Sequence, residues 1–340
     1  MRPGVAGAFG AMEKLPATVF LPPLERGSAH ASLVKRMNVV PLVSIVIPAR
    51  NQAGRLPAFF DALRLQTAAS ETYEVIVVDD FSTDGTAAIA EANGARVVRL
   101  PRHGGPYVAR NQGIGIAKAP FLAFTDADCT PRADWIENGL RSFERREVEM
   151  VAGRFDVPLG DPPTVAELLH FARFLDQERN VKEHQLSGGG NLWIRRETFD
   201  RIGLFNEQLL SGGDKEFCQR AVAAGTRLDY EPDVVTAHPS CRSHWVAARR
   251  SFRIGFGVAQ HRFYAEGPAA KHPRVWSRPG AYVPRTRIYG FERLERHGYR
   301  PNRLQRIMLP VVEYIGIRLP IVAGNLAGSI REFRRARTAR

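Results

Sequence analysis

Apolar, β-branched runs that each stop at a polar turn and then give way to a helical pattern constrain this chain more than any other feature. Val43-Ser44-Ile45-Val46-Ile47-Pro48 ends in Ala49-Arg50-Asn51, and an amphipathic helical stretch follows from about Leu56 to Gln66. Tyr73-Glu74-Val75-Ile76-Val77-Val78 ends in Asp79-Asp80-Phe81-Ser82-Thr83-Asp84-Gly85-Thr86, where Ser82, Thr83 and Asp84 are N-cap candidates for a helix through Ala92. Arg96–Leu100 reads as a third strand. The order is βαβαβ. Such alternation implies an α/β fold with a mostly parallel, Rossmann-like sheet and right-handed crossovers, with helices on its faces. It sets the loops at 48–51, 79–84 and 126–128 along one rim.

The last of these loops follows Pro120-Phe121-Leu122-Ala123-Phe124-Thr125 and reads Asp126-Ala127-Asp128. A turn starting at Asp126 can aim both carboxylates at one point beyond the strand end. Two hard oxygen donors there suit Mg²⁺ or Mn²⁺, the usual neutralisers of a diphosphate leaving group. The crevice at the carboxyl ends of parallel strands is also where α/β proteins bind nucleotides. An Asp-x-Asp alone is commonly a solvated turn, so its surroundings give it meaning.

Those surroundings resemble the family 2 inverting glycosyltransferases, whose nucleotide-sugar-binding fold is called GT-A. The matching blocks are 43–51, Val77 to Thr86, Gly105 with Ala109-Arg110-Asn111, and Phe124 to Asp128. Gly188-Gly189-Gly190-Asn191, Phe199 to Glu207, and Gly212-Gly213-Asp214-Lys215-Glu216-Phe217-Cys218-Gln219-Arg220 extend the match to roughly residues 41–245. The resemblance implies that Pro48, Ala49, Arg50, Asn51 and Asp80 contact the nucleotide, with Arg110 nearby. It implies that Asp126 and Asp128 hold the sugar diphosphate through a metal and that Asp214 is the catalytic base. Inverting transfer needs one carboxylate to deprotonate the attacking hydroxyl, and Asp214, opening a helical stretch Lys215–Ala224 after a Gly-Gly turn, can present one. An N-cap aspartate is the plainer reading of that residue. Gly213 departs from the family, which usually has an acidic residue there.

His238, after the strand-like 230–237, matches a position where members of this fold supply a third metal ligand; a satisfied surface or core histidine is the alternative. Gly189, Gly190 and Asn191 are expected on the acceptor side, because glycine backbones allow close approach. Trp193 is expected there as a stacking platform for a sugar, against the commoner role of a strand tryptophan in a core. Asp84 reads as a cap. Leu140–Glu149 reads as a charged helix, Val151–Val157 as a strand, and Val165–Val181 as a single amphipathic helix.

The net charge of +13 is uneven. Residues 246–340 hold 20 Lys and Arg against 5 Asp and Glu, whereas residues 1–245 hold 28 against 30, so the whole excess lies in the tail. That segment has no zinc-finger spacing, aromatic RNA-binding signature or recognition helix, which argues against a nucleic-acid partner. Residues 307–330 are largely apolar but interrupted by Pro310, Pro320, Glu313 and Arg318. A span needs about 20 uninterrupted apolar residues. The run is therefore expected as two short helices, either at an anionic membrane surface contacted through 303–340 or packed on the catalytic domain. The three cysteines, Cys129, Cys218 and Cys241, fall in no metal spacing and fit a reducing compartment. Residues 1–36 show no signal-peptide core, and Met37 is a plausible native start. Residues 267–287, rich in proline and basic side chains, read as irregular.

The expectation is thus a flexible extension over 1–40, a GT-A catalytic domain over 41–245 and a basic, partly helical extension over 246–340. The chain would use Mn²⁺ or Mg²⁺ to move a sugar from a nucleotide diphosphate, a UDP-sugar first, to a glycan or lipid-linked acceptor. It would do so on the cytoplasmic face of the membrane. A catalytically silent nucleotide-sugar-binding or scaffold protein is the alternative, opposed by the joint presence of Asp126, Asp128 and Asp214.

Overall fold

The computed structural model describes residues 40–266, 291–300 and 302–338. The expected extension before Val40, the start at Met37, the segment 267–287 and Arg340 lie outside the described residues. The first half follows the expected alternation. β1 (Val43–Ala49) leads to α1 (Leu56–Arg64), β2 (Tyr73–Asp79) to α2 (Thr86–Ala92), and β3 (Arg96–Arg99) to α3 (Pro106–Ile116) and β4 (Phe121–Thr125). β1 pairs in parallel with both β2 and β4, and cores pack on both of its faces, which is why it reads as a nearly continuous apolar run. Its pairing with β4 covers Val43 to Val46 alone, so Pro48 lies beyond that ladder. Val43, Ile45 and Ile47 face a core with Leu56, Phe59, Trp135 and Trp193; Val46 faces a second core with Leu122, Phe124, Phe205 and Phe217.

The second half adds β5 (Thr130–Pro131), α4 (Trp135–Arg145), β6 (Met150–Asp156), α5 (Val165–Arg173), α6 (Gln177–His184), β7 (Asn191–Arg195) and α7 (Arg196–Ile202). α8 (Gly213–Ala223), β8 (Leu228–Ala237) and α9 (His244–Glu266) follow. The sheet order is β3-β2-β1-β4-β7-β6-β8-β5. Four of its seven pairings are parallel; β7 runs antiparallel to both β4 and β6, and β5 antiparallel to β8. Strand order reverses between β1 and β4, the switch point at which such sheets open a crevice. The loops after β1 and β4 flank it.

Several local expectations are corrected. The helix expected at 140–149 begins at Trp135 and ends at Arg145. The single helix expected over 165–181 is two, because Leu175 adopts a left-handed backbone and Asp176 caps a new helix by accepting from the Arg179 N–H. Asp84 does not cap α2; Gly85 holds that position, and Asp84 instead accepts from the N–H groups of Thr86 and Ala53.

The tail differs most. α10 (Phe291–Arg296) precedes α11 (Arg303–Glu313), a π-helical segment at Tyr314–Arg318 and α12 (Leu319–Thr338), which together form one unbroken helical run. Pro320 lacks an N–H, and the wider hydrogen-bonding step of the π segment just before it absorbs that loss without ending the helix. One face packs on the rest of the chain. Leu309 and Ile317 join Leu168, Leu169, Phe171 and Leu294, while buried Glu313 pairs with Arg173 at 3.3 Å and Arg318 at 3.4 Å. α12 crosses α9 at backbone contact: a Cβ on Gly255 would fall onto the Ile321 carbonyl, and one on Gly324 onto that of Phe252. α9 itself straddles the expected boundary at 245–246.

Glu167 ties α5 to its surroundings. It is 1% exposed and completes a capping box with Thr164, accepting from the Thr164 N–H at 2.8 Å, the Ser240 hydroxyl at 2.9 Å and the Gly160 N–H at 3.2 Å. Burial opposes its charge, but these bonds outweigh it and hold the carboxyl at about 2, below the ordinary 4.5. A depressed folded value stabilises the fold above the unfolded value, and the contribution disappears as pH falls from about 4.5 to about 2. Glu167→Gln should therefore lower denaturant stability at pH 7 by on the order of 2 kcal/mol. The gap should narrow at pH 3, and a gap that stays constant across urea melts at both pH values would refute this account.

Candidate active site

The register Thr125↔Asn191 between β4 and β7 sets the site's geometry. Because these strands are antiparallel, residues entering β7 sit beside residues leaving β4. Gly188-Gly189-Gly190 is thereby laid against Asp126. A Cβ on Gly190 would come 2.8 Å from Asp126 Oδ2, and one on Gly189 would come 2.9 Å from Arg110 Cζ. The close approach of Asp126 and Arg110, rather than of an acceptor, is what glycine accommodates here. Asp214 adjoins the same glycine ribbon; it is the second residue of α8, whose N-cap is Gly212 in the left-handed region and not Asp214 itself.

Three donors orient Asp214. Oδ2 accepts from the Gly189 N–H at 2.6 Å, and Oδ1 accepts from the Tyr107 hydroxyl at 3.2 Å and the Lys215 N–H at 3.0 Å. Burial, and next the Asp214 charge, push the Tyr107 phenol far above its usual range, so it stays a donor at neutral pH. A Cβ on Gly213 would meet the Tyr107 ring at 2.9 Å, which explains the missing acidic residue: the ring occupies its space. Tyr107 was not singled out from the sequence. Its signal was its spacing, one helical turn before Arg110 on α3.

The acid pair carries its own counter-ions. Arg110, with a side chain 5% exposed, donates to Asp126 Oδ1 at 2.8 Å, and the exposed Arg55 donates to Asp128 Oδ2 at 2.7 Å. Burial raises the Asp126 carboxyl above its usual value; Arg110 opposes this and Asp128 adds to it. Among the described residues, Asp126, Asp128 and Cys129 bring ligand atoms within 4.8 Å of one another. Burial, followed by the two carboxylates, drives the Cys129 thiol well above its usual value, leaving a protonated sulfur 3.9 Å from the Gly190 carbonyl. Two carboxylate donors whose mutual repulsion a cation would relieve fit a divalent ion; the thiol does not contribute. His238 donates from Nδ1 to the Pro239 carbonyl at 2.9 Å. It lies outside that ligand group, so ligation would require the ring to move in.

The remaining expected contacts divide. Asn51, left-handed at φ 52°, laces the first two rim loops: its N–H donates to Ser82 Oγ at 2.9 Å and its Oδ1 accepts from the Thr83 N–H at 2.9 Å. Arg50 is exposed on that rim, Pro48 is half-buried and Ala49 is buried. Asp80 is buried and accepts from the N–H groups of Gly104 at 2.6 Å and Gly105 at 2.9 Å, with His103 Nδ1 2.7 Å away. The Asp80 carboxylate thus positions the 103–105 loop beside the expected nucleotide site. Trp193 and Asn191 are corrected. Trp193 is 0% exposed, packed edge-on against Trp135 at 4.8 Å, and offers no surface to a sugar. Asn191 spends its amide on Trp135 Nε1 and the Arg154 and Val234 carbonyls.

The family model described as Glycosyl transferase family 2 matches residues 44–203. Glycosyltransferase AglE of Haloferax volcanii is 31% identical over 228 residues, which cover 66% of this chain and 75% of that protein. The pre-mycofactocin glycosyltransferase of Mycobacterium tuberculosis is 34% identical over 256 residues, 71% of this chain and 50% of that one, so the chain spans about half the length of this relative. Among solved structures, mannosyltransferase PcManGT from Pyrobaculum calidifontis, in complex with GDP-Man and Mn²⁺, aligns with a TM-score of 0.54 at 20% identity, covering 84% of this chain and 87% of that one. S. aureus TarS in complex with UDP aligns with a TM-score of 0.50 at 15% identity, covering 88% and 92%. The structural likenesses show the GT-A fold. With the family model lying over β1 through α7 and AglE matched over three quarters of its length, this chain belongs to glycosyl transferase family 2.

Proposed function

We propose that the protein transfers a sugar, with inversion at the anomeric carbon, from a nucleotide diphosphate donor to a hydroxyl of a cell-surface polysaccharide or lipid-linked glycan. The reaction would run at the cytoplasmic side of a membrane. One observation carries this reading: Asp214, oriented by Tyr107 and Gly189, and Asp126 both adjoin the short glycine run 188–190. A candidate base and a candidate diphosphate-binding pair therefore border one segment, which lets a sugar bound between them be attacked from the face opposite its diphosphate. A UDP-sugar is the first donor choice. Support for the donor class comes from structures of the same fold that hold UDP, or GDP-Man with Mn²⁺.

In the proposed step Asp214 takes the proton of the acceptor hydroxyl as that oxygen bonds to the anomeric carbon. The bond from that carbon to the diphosphate oxygen breaks, and the electron pair leaves with the diphosphate. Tyr107 and the Gly189 N–H hold the carboxylate's direction so that no reorientation is needed during transfer. Arg110 lies directly beneath the ribbon, on the side where negative charge develops. A divalent cation, Mn²⁺ or Mg²⁺, when held by Asp126 and Asp128, would neutralise the departing diphosphate.

Asp214→Asn keeps size and most hydrogen bonding but cannot accept the proton. Transfer should fall by roughly 10²–10⁴-fold with donor affinity retained. Calorimetry against a panel of nucleotide sugars, paired with transfer assays, reads both; a near-parental rate would move the base elsewhere. Asp128→Ala removes one expected ligand and an exposed ion pair worth about 1 kcal/mol or less. Its unliganded melting temperature should stay close to the parent's, while the rise produced by UDP with Mn²⁺ should vanish. An undiminished Mn²⁺-dependent rise would show that the acid pair is structural.

A further inference from the structure

The continuous C-terminal helix is apolar on two opposite faces, and the fold accounts for only one. Leu309, Ile317, Gly324 and Gly328 pack on α5, α10 and α9. About half a turn around the same helix, Leu304, Ile307, Val311, Ile315, Leu319, Leu326 and Ile330 recur every three to seven residues as an exposed stripe, with Ile307 67% and Ile315 60% exposed. A helix apolar all round is a buried or membrane-contacting element. Charge identifies which applies here. The helix has two acids, Glu313 and Glu332, both 1% exposed on the protein-facing side. Arg303 stands exposed near one end of the stripe and Arg334 near the other, while the exposed Arg306, Arg331 and Arg335 add positive charge to the same ends from their contacts with Glu295, the Phe256 ring and Glu332.

We infer that this stripe is a docking surface for an anionic lipid bilayer, and that the helix lies in the plane of the interface without crossing it. Within Arg303–Glu332 an 18-residue window reaches a mean hydropathy of 1.6, long and apolar enough to span. Crossing would strip it from its partners along its whole length. Glu313 would lose Arg173, and Glu332 would lose Gln260 Nε2 at 3.0 Å and the Tyr264 hydroxyl at 3.1 Å. Lying flat keeps every one of these contacts and gives the outer face an apolar solvent, with the terminal arginines reaching lipid phosphates.

Docking in this pose also places the site. α12 rests on α9, and α9 rests on the loop before α8: Gln260 accepts from the Leu210 N–H at 3.0 Å and donates to the Gln208 carbonyl at 3.0 Å. A Cβ on Gly257 would fall onto the Ser211 carbonyl. With helices spaced by about 8–10 Å, the loop that leads into Asp214 stands on the order of 20 Å above the interface. A lipid-anchored acceptor reaches that height without leaving the bilayer, an extension that rests on the reaction proposed above, whereas the docking surface does not.

The test uses the full chain and sedimentation with phosphatidylcholine vesicles, with and without phosphatidylglycerol, at low and high salt. Binding should require phosphatidylglycerol, weaken in salt, and be released by alkaline carbonate as for a protein that does not span. Ile307→Glu combined with Ile315→Glu should weaken binding by roughly tenfold or more without changing the melting temperature. Should that variant lose stability, Arg303→Gln with Arg334→Gln provides the second reading through a reduced salt dependence. The inference is overturned if the parent ignores lipid charge and salt, resists carbonate, or binds no better than the stripe variant. A lipid-independent dimer abolished by the stripe variant would assign the face to a second copy instead. None of these readouts involves sugar transfer, so their failure is separable from failure of the proposed reaction.

Discussion

The antiparallel pairing of β7 with β4 is the constraint on which the site depends. In a wholly parallel continuation, the segment entering the strand next to β4 would lie at the far end of the sheet from Asp126. Reversal brings the glycine run to the same end, and the pairing of Thr125 with Asn191 places it within contact of Asp126. The Gly189 N–H then meets Asp214. The buried amide of Asn191, bonded to Trp135, Arg154 and Val234, locks the start of β7 to three other segments, so the ribbon cannot slide. Register in a sheet buried on both faces is costly to shift, because one residue of slip inverts every side chain. The chemistry therefore inherits its precision from core packing.

How much was legible follows from where the information sits. β1, β2 and β4 were readable because strands buried on both faces must be apolar throughout, and because their turns carry charged residues that cannot enter such a strand. The Asp126–Asp128 turn stood out for the same reason, whereas Asp214 stood out through the Gly-Gly turn before it and its place at the start of a helix. The reversal at β7 was not readable, since Asn191–Arg195 carries no local mark of its direction. Without that direction, Asn191 and Trp193 looked like neighbours of the acceptor, whereas alternation along the strand sends both into cores. Tyr107 stayed hidden because its partner is 107 positions away. The tail misled differently: two prolines looked like helix breaks, but a π segment before one of them kept the helix whole.

Electrostatically the site is prepared on one side and adjustable on the other. Arg110 is buried, stacked over the Tyr107 ring at 5.7 Å and closed in by the glycine ribbon, so its charge is fixed beside Asp126. Arg55 reaches Asp128 from an exposed position ahead of α1. An exposed arginine of that kind is easily exchanged, whereas the buried guanidinium of Arg110 would be costly to leave without its carboxylate, although Asp126 itself is partly open to solvent. The two aspartates thus differ in how readily each accepts another partner, although the sequence presents them as equivalents.

Gly213 and Tyr107 share a single volume, and that joint occupancy restricts which single substitutions this corner beside Asp214 can take. Adding a carboxylate at 213 while the ring remains forces a clash at 2.9 Å in a packed corner of α8. Trimming the ring first leaves a cavity of the kind that costs roughly 2–5 kcal/mol and also removes a hydrogen bond to Asp214. Each single step passes through a poorer protein. The two positions are therefore coupled, and neither side chain can be exchanged without adjusting the other.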